Sequence, residues 1–524
     1  MSRYDAIVIG GGHNGLVCAA TLARAGRRTL LLERRSLFGG LATSEESVSG
    51  CRMPLGALDA GLLHSDVIAH LELESHGLRW VEPAAVATGL AADGHPLTLW
   101  RDPERTRADV AALSRADAAA FAAFQAEMTL LAGALDALWT QTPPDLQGHS
   151  LRELWPWLKT ALKIRRMGDR EMMTLLRVLP MTVREYLDEW FETDRLKALL
   201  AVPALRGTAV GAMAAGTMTN LIYQHGGGSP GGWASTRFPE GGMAGLSGAL
   251  VSSARSAGVE LVGNGEATRI ETGVGGPLAV HCMGGQVYRA PVVVSAIGAG
   301  ATFLNLIGAD QLPLRLVRRL RHIRYRGVTA RITLVLDELP EWPDIAVDRL
   351  GGYGVICPSM VALERSADAA KYGRWSDPPL LEWVIPTLHG PGAAPQGKHL
   401  MAITARHAPY RLREAEWGGE REAFVAAVLA QVERHLPGIG DTVSDHRVLL
   451  PVDYEREFGL CEGDPWHGQM MLDQLFVMRP TPECARYATP VPGLYLAGAA
   501  SHPGGGVTGL PGFNAAREVL RKSR

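Results

Sequence analysis

The opening stretch of the chain, to about residue 45, constrains the fold more than any other. Asp5-Ala6-Ile7-Val8-Ile9 is a short apolar run, followed at once by Gly10-Gly11-Gly12-His13-Asn14-Gly15. Leu16 to Ala25 reads as a helix of small residues stopped by Gly26, and Arg28-Thr29-Leu30-Leu31-Leu32-Glu33 is a second apolar run ending in an acid. A strand, a glycine turn, a helix and a second strand in this order form the unit that binds a dinucleotide.

Each residue type has a task there. Gly10 permits the tight turn out of the strand, Gly12 lets the backbone approach a pyrophosphate, and Gly15 lets the helix pack close to the sheet. The helix N-terminus carries roughly half a positive charge and points free N–H groups at the phosphates. Glu33, about 20 residues beyond the turn, is placed to accept the ribose hydroxyls. The glycine pattern alone decides little, because 61 glycines in 524 residues produce it roughly 0.8 times by chance. Gly226 to Gly231 and Gly504 to Gly509 also fit it, but only Gly10 to Gly15 lies between a strand and a helix with an acid ending the next strand.

The chain is long enough for more than one core, since single cores stop growing near about 250–300 residues. A formal charge of −2 gives no reason to expect nucleic acid as a partner. Cys18, Cys51, Cys282, Cys357, Cys461 and Cys484 are scattered without a CxxC pair, which argues against a disulfide framework, a zinc site or a redox dithiol. No metal is expected. The first strand begins without a signal-peptide pattern, and no run of about 20 uncharged apolar residues occurs, so the cytoplasm is the expected location.

Beyond the second strand, Arg34-Arg35-Ser36-Leu37-Phe38-Gly39-Gly40-Leu41-Ala42-Thr43 carries two glycines that let the chain run flat beside a cofactor. Asp59 and His64, in a turn-rich stretch, read first as surface residues. Residues 103–225 read as mostly helical, with Phe121, Phe124, Met128 and Leu131 on a core-facing stripe. Leu151 to Leu179 carries Trp155, Trp157, Lys159, Lys163, Arg165, Arg166 and Arg170. A solvated helix face is the preferred reading, and peripheral contact with an anionic membrane is the other. Val292-Val293-Val294 is fully apolar, as in a strand covered on both faces, so the chain returns to the nucleotide sheet after its helical excursion. Alternating strands from Arg326 onward, with an amphipathic helix from Glu420 to His435, suggest a second, mixed sheet.

The end of the chain repeats the opening theme. Gly493-Leu494-Tyr495-Leu496-Ala497-Gly498 is a buried strand, and after Ala499-Ala500-Ser501-His502-Pro503-Gly504-Gly505-Gly506 a helix is expected from Val507. Such an N-terminus can stabilise an anion, including a reduced flavin.

With Tyr186-Leu187-Asp188-Glu189-Trp190-Phe191, Phe238-Pro239-Glu240-Gly241-Gly242-Met243 and Asp464-Pro465-Trp466-His467-Gly468, these motifs resemble the phytoene desaturase-like FAD-dependent oxidoreductases over nearly the whole length. The spellings are closest to the branch called pyridine nucleotide-disulphide oxidoreductase domain protein 2. The resemblance implies an α/β fold, a Rossmann-type FAD-binding domain of glutathione reductase-like form, interrupted by a substrate domain. Residues 1–100, 235–305 and 480–524 would form the FAD domain, 101–234 a helical part and 306–479 a mixed-sheet part of the substrate domain. Gly10, Gly12, Gly15, Glu33, Arg34, Gly40, Leu41 and Thr43 would hold the adenosine diphosphate half, with Ala267 at the adenine. Gly498, Gly506, Val507 and Thr508 would lie along the isoalloxazine.

The family's chemistry is removal of two hydrogens from a carbon chain or flavin-dependent isomerisation of a conjugated one. The substrate expected is an apolar small molecule, with oxygen, a quinone or a soluble carrier taking the electrons; no second dinucleotide unit of comparable quality exists for NAD(P)H. CH–N oxidation of the amine oxidase kind is less well matched, because Ala499 and Ala500 stand where those enzymes usually keep an acid. A flavin-binding role with little turnover is a further alternative. His502, then His467 with Asp464, then His225 are the candidates for acid or base.

Overall fold

The two apolar runs flanking the glycine turn become parallel neighbours. Strand β1 (Ala6–Ile9) pairs in register with β2 (Thr29–Leu32), Ala6 opposite Thr29, and helix α1 (His13–Arg24) connects them. The structure, a computed structural model, describes residues 4–523 apart from positions 49, 92–94, 146–150, 167, 227–235, 274–276 and 344. Most of the second glycine pattern, 227–231, therefore lies outside the described residues.

On the other side of β1 lies Val292–Ser295, paired in turn with Leu494–Leu496, while Glu260–Val262 flanks β2. All four pairings are parallel, so segments nearly 490 residues apart in sequence build one sheet. Its strands are apolar throughout because α1 covers one face and a second apolar cluster, including Phe303, Leu306 and Leu320, covers the other. Ala267–Glu271, Leu278–Cys282 and Val287–Ala290 form a separate antiparallel sheet beside it.

The other large sheet runs in the order Val443–Leu449, Thr329–Leu336, His399–Arg406, Leu380–Val384, Tyr353–Ile356, Ala85–Leu90 and Leu97–Trp100. One of its pairings, between Tyr353–Ile356 and Ala85–Leu90, is parallel and the rest are antiparallel. Here the domain boundary drawn from the sequence is corrected. The sequence places residues 85–100 in the FAD-binding segment, but hydrogen bonding puts both their strands in the seven-stranded sheet. Their alternation did not say which sheet edge they would find.

Helices between Pro103 and Gln224 form the expected helical part. The longest, Arg115–Trp139, is long and apolar enough to span a membrane by composition, yet it buries Phe121, Phe124, Met128, Leu131 and Trp139 and takes a hydrogen bond at Glu127 from the Tyr186 hydroxyl. It is a core helix. Leu151–Arg165 and Asp169–Val178 instead expose Trp155, Leu158, Leu162, Met173 and Leu176, so their outer face is not uniformly polar.

The last helix, Leu510–Lys522, packs along α1, where a Cβ on Gly512 would stand 2.1 Å from the Asn14 carbonyl oxygen. Overpacking at such a contact typically costs about 1–3 kcal/mol. Gly512→Ala is accordingly expected to lower the midpoint of thermal unfolding, measured by circular dichroism; an unchanged midpoint would show that the two helices separate freely.

Candidate active site

The turn after β1 works through what its glycines omit. Gly10 adopts φ +99°, and a Cβ on Gly15 would lie 1.9 Å from the Gly10 carbonyl oxygen, so α1 reaches the strand only with glycine at that point. Gly12 is different: the nearest atom to an added Cβ is the Gly40 Cα at 4.0 Å, and the space over the turn stays open. Gly12 caps α1 without a side chain and the first turn holds no acid, which leaves its N–H groups free for an anion. Gly39 N–H donates to the Gly11 carbonyl (2.8 Å), bringing Gly40 and Leu41 alongside.

At the ribose end Glu33 is buried, accepting from Gly11 N–H (2.7 Å) and Arg35 N–H (2.9 Å), so its carboxylate is held in place before any ligand arrives. Gly265 N–H donates to the Glu33 carbonyl (2.8 Å), which sets Ala267 near that acid. Arg34 is exposed, 3.8 Å from Glu266. The Thr43 hydroxyl is engaged with Ser247 (2.7 Å), tying the Gly39–Gly40 loop to helix Met243–Ser256. This open glycine cradle, with an anchored acid on one side, fits the adenosine diphosphate half of FAD.

The far end departs in detail from expectation. The helix expected from Val507 begins at Leu510, and Gly506, Val507 and Thr508 lie in the loop before it. His13 Nε2 meets the Gly506 carbonyl (3.2 Å), so the first and last glycine loops touch directly. Burial lowers the His13 pKa to about 4, leaving a neutral ring. Gly498 packs against the neighbouring strand, where a Cβ would come 2.5 Å from the Ala296 carbonyl oxygen.

None of the candidate acids and bases, Asp464, His467, His502 and His225, lines the cleft described below. His502 is fully buried, Nε2 against the Leu138 carbonyl (3.0 Å) and its ring packed near Trp139 and Phe476; burial lowers its pKa to about 4, and it does not line the cleft. Asp464 accepts from Trp466 N–H (2.9 Å) and Gly468 N–H (2.7 Å) and thereby shapes its own loop, although burial raises its pKa to about 7. His467 has a buried Nδ1 without a partner and a pKa lowered to about 4 by burial, and it too stands outside the cleft lining. His225 caps helix Thr217–Gln224 and meets the Leu221 carbonyl (2.8 Å).

A cleft partly open to solvent runs from Leu41, Leu62, Gly506 and Val507 to one face of the seven-stranded sheet. Asp59, read from sequence as a surface residue, lines it and accepts from the Tyr353 hydroxyl. His64 is also buried, its Nδ1 accepting from Asp66 N–H (3.1 Å) to cap helix Ser65–Leu71. Sequence reasoning missed Arg206, Arg331, Glu382 and Arg406 in the lining. The signal was present as two copies of Thr-Ala-Arg, Thr329-Ala330-Arg331 and Thr404-Ala405-Arg406, whose alternation turns both polar positions to one face. Glu382 is shared by Arg206 Nη2 (2.9 Å) and Arg406 Nε (2.8 Å). Burial alone would raise its pKa, but the two guanidiniums hold it at about 2.

Glycine loops from opposite ends of the chain, meeting beside a cleft, are the arrangement of an FAD-dependent oxidoreductase. The chain belongs to the family described as flavin containing amine oxidoreductase, which matches residues 15–520. Over 543 aligned residues it is 32% identical to the pyridine nucleotide-disulfide oxidoreductase domain-containing protein 2 of Rattus norvegicus, covering 99% of this chain and 94% of that one. It is 23% identical to a phytoene desaturase (neurosporene-forming) of Cereibacter sphaeroides, covering 99% and 94%. Putrescine oxidase bound to putrescine shares the fold with a TM-score of 0.61 at 15% identity, covering 99% of each chain. The resemblance read from the motifs, the fold class and the FAD cofactor all stand.

Two outcomes check this site. In Gly12→Val the added side chain enters open space, so flavin absorbance of the purified protein should fall at least tenfold while the unfolding midpoint of apoprotein hardly moves; full flavin content would refute the cradle. Glu382→Gln leaves the Arg206 and Arg406 guanidiniums with no carboxylate between them, a change that typically costs about 3–5 kcal/mol. Because the folded pKa lies below the unfolded value of 4.5, the stability from Glu382 is present above about pH 4.5 and is lost as pH falls toward about 2. Denaturant titrations across that window should show the loss in the parent and a flatter profile in the variant.

Proposed function

We propose that the protein dehydrogenates a C–C or related bond of a small-molecule carbon chain, the electrons passing on to oxygen, a quinone or a soluble carrier. The observation that carries this reading is a cleft bounded by the cofactor loops at Leu41, Gly506 and Val507 and by Ala499, whose side chain offers no polar group. When bound, FAD supplies the hydride acceptor. The protein's residues position the substrate and exclude water; among those lining the cleft, His13 is held neutral against Gly506 and Glu382 is committed to two arginines. Neither is free to act as a strong base, which suits loss of hydride from a carbon chain with later release of the proton.

Cleft electrostatics also weigh against an amine. Arg206, Arg331 and Arg406 outnumber the carboxylates of Asp59 and Glu382, and an ammonium substrate would enter a positive field. Anaerobic mixing with candidate substrates should bleach the flavin absorbance, and in air turnover should consume acceptor in proportion to product. Product formed with no acceptor consumed would replace this reading with redox-neutral isomerisation.

A further inference from the structure

The charges in the cleft are not evenly matched. On the strand Thr329–Leu336, Arg331 stands directly opposite Thr404 of the neighbouring strand, and Thr404 stands opposite Glu382 of the next. The other face of these strands, with Ala330, Ile332, Leu334, Ile403 and Ala405, is packed into the apolar cluster beneath helix Trp417–His435, so the polar set faces the cleft. Glu382 serves Arg206 and Arg406, and Asp59 is occupied by the Tyr353 hydroxyl and by Gly61 N–H.

Arg331 is left over. It is 5% exposed, with Nη1 donating to the Thr404 hydroxyl (2.6 Å) and Nη2 to the Gly56 carbonyl. Its Nε is buried without a partner, and among the described residues no ion pair joins it to an acid. Burial pushes the Arg331 pKa down, while the neighbouring Tyr454 and Tyr353 hydroxyls and the Glu382 carboxylate act in the other direction. Burying an unpaired guanidinium is costly and finds its compensation when an anion arrives to make charge-assisted hydrogen bonds.

We propose that the cleft takes a substrate carrying one carboxylate, which pairs with Arg331 while its carbon chain lies against the apolar wall of Leu41, Leu62 and Val507. This rests on the reading of the cleft as the substrate site. Three guanidiniums against two carboxylates leave one positive charge, which a monoanion neutralises and a phosphate dianion exceeds. A planar carboxylate also matches the guanidinium fork. The substrate class is thereby narrowed from apolar to amphiphilic: a hydrocarbon body with an acid head.

The test uses the FAD-loaded full chain and three probes of equal chain length, decanoate, decanamide and decyl phosphate. Dissociation constants are read from perturbation of the flavin absorbance and, separately, from the shift in thermal unfolding. Decanoate should bind on the order of tenfold or more tightly than decanamide, and more tightly than decyl phosphate. Arg331→Gln should abolish the preference for the acid while leaving the amide nearly unchanged, and Arg331→Lys should keep part of it. Equal affinity for acid and amide, or parallel loss of both in Arg331→Gln, would overturn the assignment, and tighter binding of decyl phosphate would overturn the choice of carboxylate. The comparison in the unaltered protein decides the matter even if Arg331→Gln does not fold. An acid-selective thermal shift that depends on Arg331 but leaves the flavin spectrum untouched would sustain the anion site and reject the cleft as the place of reaction.

Discussion

The cofactor half of the molecule depends on the carbonyl oxygen of Gly10 lying where a side chain at position 15 would have to be. That contact brings the N-terminus of α1 down onto the turn, which makes its N–H groups an anion site and not merely a helix end. A second contact of the same kind, Gly512 on the Asn14 carbonyl, seats the last helix on the same α1. The loop before that helix is thus delivered to the first glycine loop, where Gly506 meets His13. Two backbone contacts that tolerate no Cβ therefore close a site whose halves lie almost 500 residues apart.

At the flavin end the organising group is a cation. Arg479, 2% exposed, donates to the carbonyls of Trp466 (2.6 Å), Gly468 (3.2 Å) and Ala499 (2.7 Å). It fastens the 464–468 loop to the stretch that follows the last sheet strand, and Trp466 packs so closely over Gly505 that a Cβ there would come within 2.5 Å of its ring. Asp464 supports the same loop from inside by accepting two of its N–H groups. This explains why an Asp-Pro-Trp-His-Gly stretch looks catalytic in sequence. Asp464 is spent on shaping the loop that holds Trp466 and Pro465 in the cleft wall.

Legibility divides along the same line. The glycine turn, Glu33 and the Gly39–Gly40 loop were readable because their demands are local: a turn, a close approach and a capped helix each specify a residue type at a fixed spacing. The core stripe of Phe121, Phe124, Met128 and Leu131 was readable for the same reason, as a helical period. Residues whose role depends on register across strands were not. Arg331, Glu382 and Arg406 come together because Thr404 aligns with both Arg331 and Glu382, and no single strand encodes that alignment. The sheet membership of 85–100 was hidden likewise. The direction of the His502 ring was hidden too, because proximity to a glycine loop says nothing about which way a ring points; Nε2 faces the Leu138 carbonyl.

The two halves of the cleft answer to different physical requirements. The wall of Leu41, Gly506 and Val507 is shaped by backbone contacts that the cofactor site itself imposes, so it has little freedom to vary. The opposite wall is a sheet face, where alternate positions can be exchanged without disturbing the apolar layer beneath, since Ala330, Ile332 and Ile403 carry the packing while Arg331, Thr404 and Arg406 face inward. In this chain those inward positions hold guanidiniums. The excess positive charge acts over the whole cleft, because a low-dielectric wall screens it poorly. In the proposed reading, selection for charge belongs to the sheet and reactivity to the loops that hold the cofactor. The proposed substrate, a carbon chain ending in an acid, carries one part for each of these two walls.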